Sequence, residues 1–539
     1  MNFPRQKIIY FAAVLLWCAA ARGYFLDDIG ITAIRAVTNL DGTGVRVGQV
    51  EGYDSATNTY QVNPAAPDLP ASRFTYYADT NSTNVFPNLL GQESAHADYA
   101  VAAYFYGPAY GVATNISYID NYDANIYFNE LVQVVGPKTN YILSFVRTDP
   151  ADQVVNSSFI WGYVPADLPV AEQQGIDSAY DDYMATNRTL FVSAVGNGGT
   201  VCPPGTSYNG IGVGAYYYAS LGNSGSVGPT VDNGRCKPDL TGISTVTSSS
   251  TPLVSGCAAM LVQAALRGDG GDTNAATDLR VLKALLLNGA VKPADWTNLN
   301  SSPLDPRYGA GVVNVFNSWN QLTGGKHSAI ASNTVSLNAT HPPTGATGTI
   351  SVLSGWDFAT NTSSASTDAL RHYYFNVSNN LASAKFSATA TLVWHRHLGK
   401  TNINNLNLFL YNCANSNLVL CSTSAVDNVE HLWTNSLAPG RYDLQVWKAG
   451  GTTVTTNEAY ALAWEFVAPP TLALAGRTNA VLTWPSYPAG FYIEARTNLI
   501  SGAWSTNGFG VPSVTNTLNS IPLNATNAAQ FFRLRKPNL

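Results

Sequence analysis

Between residues 24 and 325 the chain alternates short apolar runs with longer stretches whose apolar positions recur at helical spacing. The runs GVRVGQVE (44–51), NISYID (115–120), QVVNSSFIWG (153–162) and TLFVSAVGN (189–197) read as buried strands. AHADYAVAAYFYG (95–107), NIYFNELVQVV (125–135) and GIDSAYDDYMATN (175–187) read as helices between them. Two further helical patterns, PLVSGCAAMLVQAALRG (252–268) and TDLRVLKALLLNGAV (277–291), follow a run of three serines. This alternation predicts an α/β domain over 24–328, a mainly parallel sheet flanked by helices. After GVVNVFNSWNQLTGGKH (311–327) the period falls to two, as in FSATATLVWHRH, NLNLFLYN, RYDLQVWK and AYALAWEF. An antiparallel β-sandwich or jelly-roll-like domain is expected over 329–468, then a linker at APP (468–470). The last segment, 469–539, is short and β-patterned, as in a fibronectin-like module. The α/β core is expected to fold without these β modules.

Composition narrows the class. Only 12% of the 539 residues are charged and the net charge is −6, so there is no basic face for a nucleic-acid partner. Arg5 and Lys7 precede the apolar run IIYFAAVLLWCAAA, followed by small residues. That reads as a signal peptide over 1–23, cleaved after Ala21 or Gly23, and as secretion to the extracellular space or periplasm. The run is short for a membrane span, and no later segment is expected to cross one. Cys18 follows bulky Trp17, which disfavours a lipid anchor. Cys413 and Cys421 in NCANSNLVLC are expected to form a hairpin disulfide, Cys202 and Cys236 are a second candidate pair, and Cys257 reads as a buried thiol.

Four positions suggest chemistry. The strand GVRVGQVE ends on Glu51, and in an open α/β sheet functional groups collect at the carboxyl ends of strands. Asp54 competes for the same role. His96 is the single histidine of the first 326 residues and opens a helix among small residues. Asn197, between Gly196 and Gly198, ends another buried strand, where its amide suits an oxyanion donor. The serines of VTSSSTPLVSGCAAML stand before Pro252, a residue favoured in a helix's first turn, so they suit either capping or nucleophilic attack. His395 and His397 in VWHRH lack a visible third ligand and read as a solvated strand edge, not a metal site.

Together these residues resemble the subtilisin-like (S8 family) serine peptidases. The family's Gly-Thr-Ser-x-Ala-x-Pro motif lies on VTSSSTP without a gap and places the nucleophile at Ser248. HADYAVAA at His96 is similar to the histidine motif, AVGN at Asn197 to the oxyanion element, and GQVEGY to the acid strand, with Glu51 in the Asp position. NGRCKPDLTG resembles the Lys-Pro-Asp element before the serine, and QVVNSSFIWG the strand that pairs with substrate. The order acid, His, Asn, Ser also fits. The departures are Glu51 for Asp, Val246 for Gly, Ala97 and Asp98 for Gly-Thr, and a short segment between Pro238 and Ser248.

The resemblance implies an endopeptidase with catalytic residues Glu51, His96, Asn197 and Ser248, acting on polypeptide substrates through an acyl-enzyme. It implies no required cofactor; structural calcium is frequent in such proteins, but no ligand set is located here. A monomer is expected. The acid-acting sedolisin arrangement needs Glu-x-x-x-Asp, and after Glu93 that spacing meets Ala97, with Asp98 one step farther. The alternative from another class is a catalytically inactive, secreted binding protein on this scaffold, carrying its two β modules.

Overall fold

The computed structural model describes residues 24–535 apart from 53–58, 79–80, 125–127, 136–137, 146–151, 162–169, 218–219, 221, 379–384 and short stretches between 452 and 529. The leader and Asp54 lie outside the described residues. The first part of the chain carries β1 (Arg46–Glu51), β2 (Thr59–Gln61), β3 (Phe74–Ala78), β4 (Asn81–Thr83), β5 (Gln92–Glu93), β6 (Tyr118–Asp123), β7 (Phe128–Val135) and β8 (Lys138–Phe145). It continues with β9 (Val154–Ser157), β10 (Leu190–Ala194), β11 (Ile211–Tyr217), β12 (Gly222–Asn223) and β13 (Leu240–Ile243). Nine of these form one sheet in the order β12-β11-β10-β9-β1-β6-β3-β4, with β13 beside β11. All pairings are parallel except β3–β4 and β11–β12. The sheet is the mainly parallel one that the strand-helix alternation implies.

Strand order positions the site. From β1 the chain goes to β6 on one side and returns to β9 on the other, so β1 lies at a reversal of strand order. Loops leaving the carboxyl ends of strands at such a point part from each other and open a crevice. The long helix Thr247–Arg267 is buried along nearly its whole length and ends on Gly268 with φ 89, a left-handed stop. Among the described residues it is the one helix apolar and long enough to cross a membrane, and it packs inside the core instead.

Residues 128–145 depart from expectation. Instead of a helix over 125–135, β7 and β8 form an antiparallel hairpin. Val132, Val134 and Val135 are branched at Cβ, which restricts χ1 on a helix and suits extended backbone.

The second part is two antiparallel sheets built from β14 (Ala331–Ser336), β15 (Ser354–Thr362), β16 (Thr367–Val377), β17 (Phe386–Trp394), β18 (Leu406–Asn412), β19 (Leu418–Ser422), β20 (Val429–Leu437), β21 (Gly440–Lys448) and β22 (Asn457–Val467). Five strands run β14-β16-β21-β18-β19 and four run β15-β22-β17-β20. Tyr373, Phe375, Leu444 and Val446 from the first meet Leu392, Trp394, Leu462 and Trp464 from the second in one core. The opposite face of the four-stranded sheet is covered as well. Val393, Ala461 and Ala463 join the core of the α/β domain together with Leu282 and Leu286 of the helix Leu279–Asn288. Alternation along β22 therefore reads large toward the sandwich and small toward the helix, because two backbones approach closely there.

Polar groups fix the same interface. Arg396 donates to Asp181 Oδ2 and Asp182 Oδ1, each at 2.9 Å. The Arg396 backbone exchanges hydrogen bonds with the Asn209 side chain. Thr389 and Thr391 both donate to Asn288 Oδ1 at 2.9 Å. The sandwich thus packs as a further layer on the α/β domain and shares its apolar core, a contact the expectation of a self-contained α/β core did not include. The last segment has a separate small core of Leu482, Trp484, Ile493 and Ile521. There Trp504 lies between Arg496 and Arg533, and Arg533 and Arg535 pair with Glu494.

The cysteine and histidine expectations are corrected. All five described cysteines are free. Phe409 is the ladder partner of Cys421, and Cys413 lies four residues farther along. That is about 13 Å of strand, beyond disulfide reach. The strand β17 ends at Trp394, so alternation stops before the histidines. His397 pairs with Glu458 at 2.7 Å, and His395 is buried, with burial pushing its proton affinity well below the ordinary value. Neither forms a solvated strand edge.

Arg396→Met should lower stability by about 3 kcal/mol or more, because Asp181 keeps a buried charge without its partner. Denaturant unfolding of the full chain measures this. A chain ending at residue 328 should lose cooperative unfolding, with the Leu282–Leu286 face open to water.

Candidate active site

β1 delivers its acid to the crevice. Val47 and Val50 are fully buried, and the strand ends on Glu51 at 1% exposure. A carboxylate removed from water needs donors. Gln49, two residues back on the same face, donates Nε2–H to Glu51 Oε1 at 2.7 Å and is held by Tyr106, whose hydroxyl donates to Gln49 Oε1 at 2.5 Å. The other oxygen, Oε2, lies 2.8 Å from His96 Nδ1. Glu51 accepts there, so Nδ1 carries the proton and Nε2 is left as the basic nitrogen. The extra methylene of Glu relative to Asp leaves the hydrogen bond at normal length. Burial pulls the His96 proton affinity down, but the bond to Glu51 and its charge outweigh that, and the histidine is raised above its ordinary value.

His96 stands before a π-wound turn, Ala97–Ala102, that continues into Ala103–Phe105. Ala97 is fully buried and its carbonyl accepts from Gln49 Nε2 at 3.1 Å, so helix and acid share one support. The chain leaves Glu51 through Gly52, where a Cβ would lie 2.5 Å from the Cβ of Phe159. That contact joins the end of β1 to the segment after β9, and Val50 pairs with Ser157 in the ladder.

The serine helix begins at Thr247, earlier than its proline suggests. Val246, the extended residue before it, has φ −141 and ψ 150, ordinary β-region values that a branched residue adopts without strain. Pro252 is therefore in the second turn. It has no N–H for the carbonyl four residues back, which is that of Ser248. Ser158 Oγ donates to that carbonyl at 3.0 Å, and Ser248 Oγ points to the Ser158 carbonyl at 3.4 Å. Behind them, Asn156 donates to Ser158 Oγ and accepts from Ser255 Oγ, both at 3.0 Å. Ser248 is half-buried, while Ser249 and Ser250 are buried. Val246, the N-cap residue, offers no side-chain cap, and the Ser250 hydroxyl has no partner, so the capping role expected for one of these serines is not found. Ser248 does not hydrogen-bond His96 in this structure.

Asn197 is tied to the same helix end. Thr247 donates to Asn197 Oδ1 from its N–H at 2.7 Å and from its hydroxyl at 2.9 Å. With Oδ1 occupied, the Nδ2 donor side is turned out. Gly196 and Gly198 have φ 109 and 135, which favour glycine, and a Cβ on Gly196 would meet Ser226 Oγ at 2.6 Å. Ser226 fixes the loop by accepting from Gly198 N–H and donating to Gly198 O. The Ser248 N–H, in the first helical turn, has no carbonyl four residues back within the helix.

The Lys237-Pro238-Asp239 element lies below. Asp239 pairs with Lys237 at 2.5 Å and Lys283 at 3.0 Å, and its Oδ2 accepts the Gly212 N–H at 2.7 Å. Burial raises the Asp239 carboxyl, but the two ammonium charges outweigh it and hold it below the usual range. Among the described residues, no cluster of His, Cys, Asp and Glu is arranged to hold a metal. Gln49, Tyr106, Ser158 and Ser226 are site residues that the motifs did not reveal. Only Gln49 had a signal, its position two before Glu51 on an alternating strand.

Residues 143–311 match the model of the subtilase family, a family of serine peptidases. The match includes Asn197 and Ser248 and leaves Glu51 and His96 outside it. No curated protein matches the chain. Among solved structures, tripeptidyl peptidase 2 aligns at 11% identity with a TM-score of 0.28, over 76% of this chain and 48% of that one. The chain thus spans about half the length of that protein. A GH2 β-galacturonidase from Eisenbergiella tayi aligns at 11% identity and TM-score 0.13, over 32% of this chain and 29% of that one.

The raised His96 sets a pH dependence. The native state binds this proton more tightly than the unfolded chain, so the pair's contribution to stability is fully present below the unfolded histidine value, about 6.5. It is lost as pH rises through the higher folded value. Glu51→Gln should therefore destabilise the protein more at pH 5 than at pH 8, relative to wild type. Denaturant midpoints at both pH values check the sign.

Proposed function

We propose that this chain is a secreted serine endopeptidase in which Ser248 is the nucleophile, His96 the general base, Glu51 the acid that orients it, and Asn197 an oxyanion donor. The observation that carries the reading is the 2.8 Å contact between buried Glu51 and His96 Nδ1; Ser248 supports it through its contacts with Ser158, in the segment that follows the ladder partner of β1. Ser248 Oγ turns from the Ser158 carbonyl and attacks the scissile carbonyl. His96 Nε2 takes its proton and delivers it to the leaving amine; water then hydrolyses the acyl-enzyme by the same route. Asn197 Nδ2 and the Ser248 N–H receive the oxyanion. Apo triads are often loose, and the Ser248 rotamer here is the unengaged one. The antiparallel layers are read as a jelly-roll-like domain and a fibronectin-like module that affect targeting and access to substrate.

The Ser248–Ser158 contact also favours a second reading, an inactive binding protein with its serine locked away from His96. A fluorophosphonate probe separates the two, since it labels only an activated serine. Wild type should label and Ser248→Ala should not. Ser249→Ala and Ser250→Ala should label, and Ser250→Ala should not lower stability, because the hydroxyl it removes is buried without a partner. Asn197→Ala should lower kcat about 100-fold or more. Absence of labelling in folded wild type would favour the binding protein.

A further inference from the structure

Glutamate at the acid position brings a difficulty that aspartate does not. Its side chain has one more rotatable bond, so a carboxylate at the end of β1 could offer His96 either oxygen or turn away from it. The histidine gives little help. Its side chain is 42% exposed, and the hydrogen bond to Glu51 Oε2 is the contact that orients the ring. Whatever fixes Glu51 must act from inside the protein.

Gln49 stands in that place. It lies two residues before Glu51 on the same face of β1 and is fully buried. Its Nε2 donates to Glu51 Oε1 at 2.7 Å and to the Ala97 carbonyl at 3.1 Å. Ala97 follows His96, so one amide is tied both to the acid and to the backbone beside the histidine. The amide has one workable orientation. Turned over, its oxygen would face a carboxylate and a carbonyl, two acceptors. Tyr106 closes the other end, its hydroxyl donating to Gln49 Oε1 at 2.5 Å. Tyr106 is fully buried, its ring stands edge-on to Phe74 at 6.0 Å, and its N–H donates to the Ala102 carbonyl at 3.1 Å. The hydroxyl is therefore fixed by the same turn that follows His96. From Tyr106 through Gln49 and Glu51 to His96, every link is a hydrogen bond of 2.5 to 2.8 Å.

We propose that Gln49 is a positioning residue for the Glu51–His96 pair and that Tyr106 acts through Gln49. The amide clamps the Glu51 carboxylate so that Oε2 faces the ring, and the neutral histidine keeps its proton on Nδ1. The proposal rests on the reading of His96 as the general base, which requires a free Nε2. With Glu51 fixed, a proton on Nε2 would set the Nδ1 lone pair against a carboxylate oxygen. With Glu51 free to turn, that penalty is relieved. Nε2 then takes the proton, and the ring can no longer accept one from Ser248.

Nitrogen-15 NMR of the histidine rings in the full chain, at a pH where His96 is neutral, reads the tautomer without requiring activity; His96→Gln assigns the signals. Wild type should carry the proton on Nδ1, and a proton on Nε2 there would overturn the proposal. Gln49→Met keeps the side-chain length and removes the amide. It should move the tautomer ratio toward Nε2–H by about fivefold or more, the effect of one lost hydrogen bond. Tyr106→Phe keeps the ring and should move the ratio the same way by less. The double variant should match Gln49→Met, because Tyr106 has no separate route to the histidine. An unchanged tautomer in folded Gln49→Met would overturn the proposal, as would a Tyr106→Phe effect that adds in full to that of Gln49→Met. Should Gln49→Met fail to fold, Tyr106→Phe decides, and an unchanged tautomer there overturns it. Where peptide hydrolysis is measurable, Gln49→Met should lower kcat and leave KM nearly unchanged, whereas a merely disordered site would raise KM as well. The tautomer in Ser248→Ala should match wild type, so failure of probe labelling would count against the peptidase reading and leave the NMR result standing.

Discussion

A carboxylate taken out of water at the end of a buried strand must be met by donors, and the arrangement around Glu51 follows from that requirement. One oxygen is satisfied by Gln49, which is itself held by Tyr106; the other is satisfied by His96. The ring's tautomer and direction are set by this second bond. Without it the histidine would be a partly exposed helix residue with either nitrogen protonated. The site is thus a by-product of solvating a charge inside the protein, and its precision comes from residues two steps removed from any substrate.

Opposite it, an absent hydrogen bond does similar work. Pro252 leaves the Ser248 carbonyl without its helical partner, and Ser158 supplies one. The first turn of the serine helix is thereby clasped to the segment after β9, next to the end of β1. Thr247 makes the corresponding link to Asn197. Acid, serine and asparagine come from distant parts of the sequence, yet each is fixed by short polar contacts: Glu51 to Gln49 and His96, Ser248 to Ser158, and Asn197 to Thr247.

The parts legible in the sequence were those with a strong period or a strong chemical type. The strand ending at Glu51, the single early histidine, the glycine-flanked Asn197 and the serine run each stood out from their surroundings. The resemblance joined them in one order, and the ladder pairs now show why the segments after β1, β9 and β10 meet. The hairpin at 128–145 was not legible, because its apolar spacing also fits a helix and only the β-branched valines argue otherwise. The helix start was misplaced because proline is commonest in a first turn but is tolerated in the second when a side chain takes the freed carbonyl. The Cys413–Cys421 spacing suggested a staple, and ladder register, which sequence does not display, separates the two. The shared layer was hidden for a related reason: Ala461 and Ala463 look like the weak face of an amphipathic strand until a helix is found against them.

That shared layer orders events in time. The helix Leu279–Asn288 emerges long before the strand Asn457–Val467 that covers it, and the intervening chain must be made and delivered first. Through that interval the α/β domain is present but unfinished, with the apolar face of Leu282 and Leu286 uncovered. Completion of the first half's core therefore waits on the second half, a dependence written into the layer order.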